Sequence, residues 1–160
     1  MMRLSKLADY GTVAMGYMAR NPGSVHTAPE VAAAVRLAAP TVSKLMKLLA
    51  RSGLLVSLRG SRGGYRLARR PESITVTDVV EAVEGNIAVT DCGAAPCGCG
   101  LDPGCPVQRS WRRINRRLRG VLDSVSVADL AGSAGRRSRA RRSSGAGAAR
   151  EAATRGAATR

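Results

Sequence analysis

The chain has 160 residues, room for one domain and an appendage, and a formal net charge of +15 carried almost wholly by arginine, since Lys6, Lys44 and Lys47 are its lysines. Apolar residues make up 44% of it, but Phe is absent and Trp occurs once, so a core must be built from Leu, Val, Ala and Met. No apolar run reaches the roughly 18 residues that a spanning helix needs, which argues against a membrane protein, and the excess positive charge points to a polyanionic partner.

The start, MMRLSKLADYG, is basic, but neither an uninterrupted apolar stretch nor a cleavage site follows it, so a cytoplasmic protein is expected. Ser5 caps a first helix with Leu7, Ala8, Gly11, Met15 and Met18 on one face. NPGSVH ends that helix, and His26, the one histidine, reads as a surface residue of this loop. Thr27 and Glu30 form a capping box, with Pro29 in the first turn, and open a short helix to about Leu37. Pro40 opens a third helix, stopped at Gly53. Val42, Leu45, Met46 and Leu49 share one of its faces; Ser43, Lys44, Lys47 and Arg51 share the opposite one.

Two β-prone runs, Leu54–Arg59 and Tyr65–Ala68, flank the turn Gly60–Gly64 and predict a hairpin with Arg59, Arg62 and Arg66 at or near its tip. After Pro71, Thr75 and Asp78 cap a helix through Val79, Val80 and Val83, closed by Gly85. A further helix carries Trp111, Ile114, Leu118, Val121 and Leu122 at helical spacing, and SVADL predicts one last capped turn. Residues 131–160 hold eight arginines and one glutamate, +7 of the net +15, and no large apolar residue. They are expected to form a disordered basic tail, while residues 1–130 keep +8.

The predicted fold is mainly α with a small β-hairpin. Three short helices, the third with a basic face, followed by an arginine-tipped glycine hairpin, is the order of a winged helix-turn-helix. A helix fits the major groove with its N-terminal residues nearest the base edges, and a glycine-rich hairpin brings backbone and arginines to phosphates or the minor groove. Thr41, Ser43, Lys44 and Lys47 are therefore the expected major-groove residues, and Arg59, Arg62 and Arg66 the wing contacts. Membrane-surface binding fits less well, because no helix joins a large aromatic or leucine face to a basic one. No catalytic set is present: one histidine is available, and no phosphate-binding glycine loop opens a helix after a strand.

All four cysteines lie within DCGAAPCGCGLDPGCP, spaced Cys92-x4-Cys97-x-Cys99-x5-Cys105. A zinc ribbon wants two C-x2-C knuckles set well apart, and a dithiol oxidoreductase wants C-x-x-C at a helix start; neither is here. Thiolates in a Gly/Pro-rich loop suit an iron–sulfur cluster, whose inorganic core imposes its own geometry, but the spacing alone leaves zinc and disulfide or redox chemistry open.

MRLSKLADYG at the start, SGLLVSLRGSRGGYRLAR in the hairpin and the cysteine cluster before SVADL resemble the IscR/NsrR-type winged-helix transcriptional regulators over residues 2 to about 130. Within that family, MMRLSKLADYG and CPVQRSWRRIN look most like the regulators of SUF-system iron–sulfur assembly. The resemblance implies a winged-helix domain over 1–85, a cluster-binding cysteine loop over 86–106, a long dimerisation helix within 107–130 and the tail 131–160. It further implies a homodimer on an inverted-repeat operator in double-stranded DNA, a [2Fe–2S] or [4Fe–4S] cluster, and repression of cluster-assembly genes. Cys92 and Cys105 match the outer ligands. Cys99 matches the middle one by its separation from Cys105, with Cys97 as alternative or extra ligand. Where some relatives carry a histidine ligand, this chain has Gln108. Nitric-oxide sensors of the family take a further ligand from an aspartate in the first helix of the partner subunit, which here corresponds to Asp9; otherwise Asp9 is an ordinary exposed carboxylate. The alternatives are a nitric-oxide or redox-sensing repressor and, from another class, a small iron–sulfur electron carrier.

Overall fold

A computed structural model describes residues 4–60, 63–91, 98–100 and 104–132. The first helix, α1 (Lys6–Met18), starts where the Ser5 side chain accepts the Ala8 N–H, and its Ala8, Gly11, Met15 and Met18 are buried. α2 (Ala28–Val35) is opened by a complete capping box: the Thr27 hydroxyl takes the Glu30 N–H, and the Glu30 carboxylate takes the Thr27 N–H. Such a cap stabilises a helix start by about 1 kcal/mol. α2 stops two residues earlier than its sequence suggests, because Arg36 turns left-handed (φ 57°) and lets Leu37 N–H reach back to the Ala32 carbonyl. That tight turn delivers the chain into α3 (Ala39–Arg51), which buries Val42, Leu45, Met46 and Leu49. Gly53, at φ 73°, ends α3 in a conformation that a side chain would strain.

The hairpin pairs β1 (Leu55–Leu58) antiparallel with β2 (Gly64–Leu67), in the register Leu55 opposite Leu67 and Val56 opposite Arg66. Leu55 and Leu67 are the buried residues of the two strands. Against the runs read from sequence, β1 loses Leu54 and Arg59, and β2 loses Ala68 but gains Gly64 from the expected turn; Leu54 and Ala68 close the base of the hairpin through the Ala68 N–H and Leu54 carbonyl. A 3-10 turn (Pro71–Ser73) leads to α4 (Val76–Glu84), which begins with a second capping box, Thr75 with Asp78. α5 (Gln108–Asp123) follows the cysteine loop.

The core is aliphatic, with methionine in place of aromatics: Met15, Met18 and Met46 are fully buried beside Leu45, Leu49, Ile74 and Val79. After α5 the chain returns to this core. Val76 N–H bonds the Val125 carbonyl, Val127 N–H bonds the Ile74 carbonyl, and the Val127 side chain is fully buried. Ser126 and Asp129 cap the turn that begins there, as SVADL suggests. A smaller cluster of Ala8, Val76 and Val80, joined by Leu122, Val125 and Leu130, seats the end of α5 against α1 and α4. Among the described residues no helix is long and apolar enough to cross a membrane.

One expectation fails. His26 is buried, 4% exposed, and not a surface residue. The strand β2 comes alongside its loop and covers it: His26 and Tyr65 exchange backbone hydrogen bonds of 2.8 Å in both directions.

Candidate nucleic-acid interface and cysteine loop

The amphipathic pattern of α3 decides what it offers outward. With Val42, Leu45, Met46 and Leu49 turned into the core, Ser43, Lys44, Lys47 and Arg51 are left on the other side, where with Pro40 and Leu48 they line a shallow surface concavity of about 410 Å³. Lys44, Lys47 and Arg51 are exposed, while Ser43 and Thr41 are half-buried; Thr41 does not line the concavity. Among the described residues no carboxylate lines it, and Lys44, Lys47 and Arg51 make its lining positive. Pro40 sits in the first turn of α3, where a missing N–H costs nothing.

On the wing, Arg59 and Arg66 are both exposed, Arg59 just beyond β1 and Arg66 within β2 opposite Val56. Arg62 lies outside the described residues. Gly64 is required by close approach: a Cβ there would stand 2.7 Å from the His26 carbonyl oxygen.

Of the four cysteines, Cys92 and Cys97 lie outside the described residues. Cys99 and Cys105 are half-buried free thiols, and the Cys105 carbonyl accepts the Gln108 N–H at the entry to α5. Among the described residues no three His, Cys, Asp or Glu side chains gather into a metal-binding group. Two free thiols just before a helix are nonetheless donors of the right kind for a soft metal or a cluster. Asp9 is exposed in the first turn of α1.

The apolar residues of α5 form one broad stripe whose two edges differ in exposure. Trp111, Leu118 and Leu122 are half-buried, whereas Val107, just before the helix, and Ile114 and Val121 are 52%, 42% and 65% exposed. On the inward face, Asn115 is buried, and its Oδ1 accepts the Val89 N–H at 2.9 Å, pinning the chain shortly before Cys92. Sequence reasoning missed this residue, although its place four after Trp111 and three before Leu118 puts it on the inward stripe. Arg119 holds Glu81 of α4 with both terminal nitrogens, and that carboxylate raises the guanidinium further above its ordinary value.

With this geometry, the comparisons with known proteins agree. The family model for Rrf2, an iron-dependent transcriptional regulator, matches residues 4–133. CymR of Bacillus subtilis (strain 168), an HTH-type transcriptional regulator, is 31% identical over 132 residues, covering 81% of this chain and 90% of that protein. IscR of Aliivibrio salmonicida (strain LFI1238), also an HTH-type transcriptional regulator, is 34% identical over 89 residues, covering 56% of this chain and 52% of that protein. The structure of CymR, described as the global cysteine regulator of B. subtilis, superposes with a TM-score of 0.67 at 30% identity, covering 83% of this chain and 98% of that one. T. potens IscR does so with 0.63 at 29%, covering 83% and 88%. The chain belongs to the Rrf2 family of winged-helix, DNA-binding transcriptional regulators and is not an enzyme.

Proposed function

We propose that this regulator is a cytoplasmic homodimer that represses iron–sulfur assembly genes and reads cluster status through its cysteine loop. The observation that carries the DNA half is the carboxylate-free concavity on α3, with Ser43, Lys44 and Lys47 around it and the exposed Arg59 and Arg66 on the neighbouring wing. In this reading Thr41, Ser43, Lys44 and Lys47 meet the major groove, the lysines suiting guanine O6 and N7 or phosphate. Arg59, Arg62 and Arg66 hold the wing on the backbone or in the minor groove of double-stranded DNA.

Dimerisation is assigned to α5. Val107, Trp111, Ile114, Leu118 and Val121 recur at spacings of four and three, the pattern of a helix–helix seam, and three of them stay exposed on the single chain. Two-fold symmetry then asks for an inverted-repeat operator. The working division is a DNA-binding unit over 1–85, the loop 86–106, the dimerisation segment 107–130 and the tail 131–160.

Cys92, Cys99 and Cys105 are the proposed ligands of a [2Fe–2S] or [4Fe–4S] cluster, with Cys97 in reserve and Asp9 of the partner subunit as a further candidate. When bound, such a group supplies a change of ligation and charge in the loop that follows its presence and redox state. The chain itself provides the transmission: Asn115 holds the loop's approach through Val89, and Arg119 holds α5 to α4.

The test is anaerobic purification, with visible spectrum, iron and acid-labile sulfide measured before and after nitric oxide, alongside binding to duplexes selected by the chain from a random pool. Brown protein with matched iron and sulfide, and binding that falls on Lys44→Ala or Lys47→Ala, is expected. Colourless or zinc-containing protein after reconstitution would remove the sensing half and leave DNA binding standing.

A further inference from the structure

His26 sits where three parts of the DNA-binding unit meet. Its backbone is paired with Tyr65 of β2, through hydrogen bonds of 2.8 Å each way, so the wing is bonded to the loop between α1 and α2. Its side chain turns to the helices. Nδ1 lies 2.8 Å from Glu30 Oε1, in the first turn of α2, and the ring stands edge-on to Tyr17 of α1 with centroids 5.5 Å apart. Glu30 is shared: Oε2 takes the Thr27 N–H that opens α2, and Oε1 also receives the Tyr17 hydroxyl at 3.4 Å.

A carboxylate only accepts, so Nδ1 carries the proton of this bond. The other nitrogen, Nε2, is buried with no partner among the described residues. A stranded ring nitrogen costs stability, and an aliphatic side chain would fill the same space without it. Packing alone therefore does not account for a histidine here; the directed bond to Glu30 does. The wing needs such a tie, because Leu55 and Leu67 are the buried residues of its two strands, whereas Val56, Leu58, Arg59 and Arg66 face solvent.

We propose that His26 is a positioning residue for DNA binding, fixing the wing against the α2–α3 unit by joining the β2 backbone to the Glu30-capped start of α2. This rests on the reading that wing and α3 contact the same duplex. Arg66 and Lys47 then meet DNA in one geometry set before binding, and no ordering cost falls on the wing when it docks.

The test uses the full chain and a duplex that the wild type selects from a random-sequence pool. Binding is measured for wild type, His26→Leu and His26→Asn, each with and without Arg66→Ala. Asn presents an amide nitrogen near the place of Nδ1, so it keeps the donor to Glu30. Arg66→Ala is expected to weaken the wild type about tenfold, His26→Leu about twofold or less, and His26→Asn nearly as much as the wild type, a coupling that two independent sites would not show. Equal losses in all three backgrounds would overturn the proposal, as would His26→Asn behaving like His26→Leu. Amide exchange supplies a readout without DNA: the Tyr65 N–H, bonded to the His26 carbonyl, should exchange faster in His26→Leu and in Glu30→Leu, with the α1 amides unchanged. Unaltered Tyr65 exchange in both variants refutes the tie even if DNA binds. Faster exchange in a chain that selects no duplex upholds the tie and refutes the DNA interface instead.

Discussion

Arg119 of α5 grips Glu81 of α4 side-on, Nη1 to Oε1 at 2.5 Å and Nη2 to Oε2 at 2.9 Å, while its Nε stands 3.9 Å from Asp123 one turn along. The pair spans the place where the helix that follows the cysteine loop meets α4. It is also partly open to water, with side-chain exposures of 45% and 27%.

That openness sets its energetic rank against Asn115. Exposed pairs contribute about 0–1 kcal/mol, even with two-pronged geometry at the upper end, so Arg119→Ala is expected to cost under about 1 kcal/mol in urea unfolding. Asn115→Ala removes a buried acceptor from the Val89 N–H and is expected to cost about 1–3 kcal/mol. If Arg119→Ala proves the more damaging of the two, the surface pair carries more of the α4–α5 junction than its exposure allows.

Gly64 offers a steric test of the wing's seat. A Cβ on it would meet the His26 carbonyl oxygen at 2.7 Å and Val25 Cγ1 at 2.9 Å, and backbone cannot give way as a flexible side-chain tip can. Gly64→Ala should destabilise the chain by about 1–3 kcal/mol, in the range of other overpacking changes. Gly23→Ala, in the same loop as His26 but with nothing within 4 Å of the added carbon, is the control and should be nearly silent in the same thermal melt.

Acid should weaken the fold through Glu30 and Asp129. The His26 ring holds the Glu30 carboxyl below its ordinary 4.5, helped by the Thr27 N–H and the Tyr17 hydroxyl; the Ser126 hydroxyl and N–H hold Asp129 below its ordinary 3.8. Both folded-state values lie under the unfolded ones. Their contribution is thus fully present above those ordinary values and is lost as pH falls through the lowered ones. Urea midpoints from neutral pH downwards should be flat for these two groups until about their ordinary values, then fall. Glu30→Gln should lower the neutral plateau and flatten part of the acid limb; an unchanged acid limb would mean that the His26 contact does not act on this carboxyl.

The seam on α5 predicts the behaviour of the assembly. Val121, 65% exposed, is the most open apolar residue of the proposed seam, and Val121→Arg should convert a dimer to monomer in sedimentation while leaving the helical spectrum intact. Arg116→Ala, on an exposed position on the opposite side of the same helix, should leave the dimer as it is. A wild-type chain that sediments as a monomer at micromolar concentration would withdraw α5 as the interface.

Much of this architecture is local and was readable from residue order. Ser5, Thr27 and Thr75 announce three helix starts, because a cap is a bond between residues three apart. The outward basic face of α3 follows from 3.6-residue periodicity once its apolar stripe is recognised. The hairpin of the wing was legible in outline from a glycine-rich turn between β-prone runs, but its register was not, and Gly64, read as turn, begins β2.

His26 shows where residue order stops. Nothing near it in sequence distinguishes a loop histidine from a buried one; its burial is made by Tyr65, which reaches it only after α2, α3 and β1 have been laid down. Asn115 with Val89 and Arg119 with Glu81 are likewise partners across 26 and 38 residues. The sequence by itself determined the helices, their caps and the charge of the exposed α3 face, because short-range hydrogen bonds and periodic apolar burial depend on neighbours. Only the tertiary structure decided which polar side chains tie the wing, the loop and α5 to the core, because those bonds exist only when distant segments are brought within about 3 Å of one another.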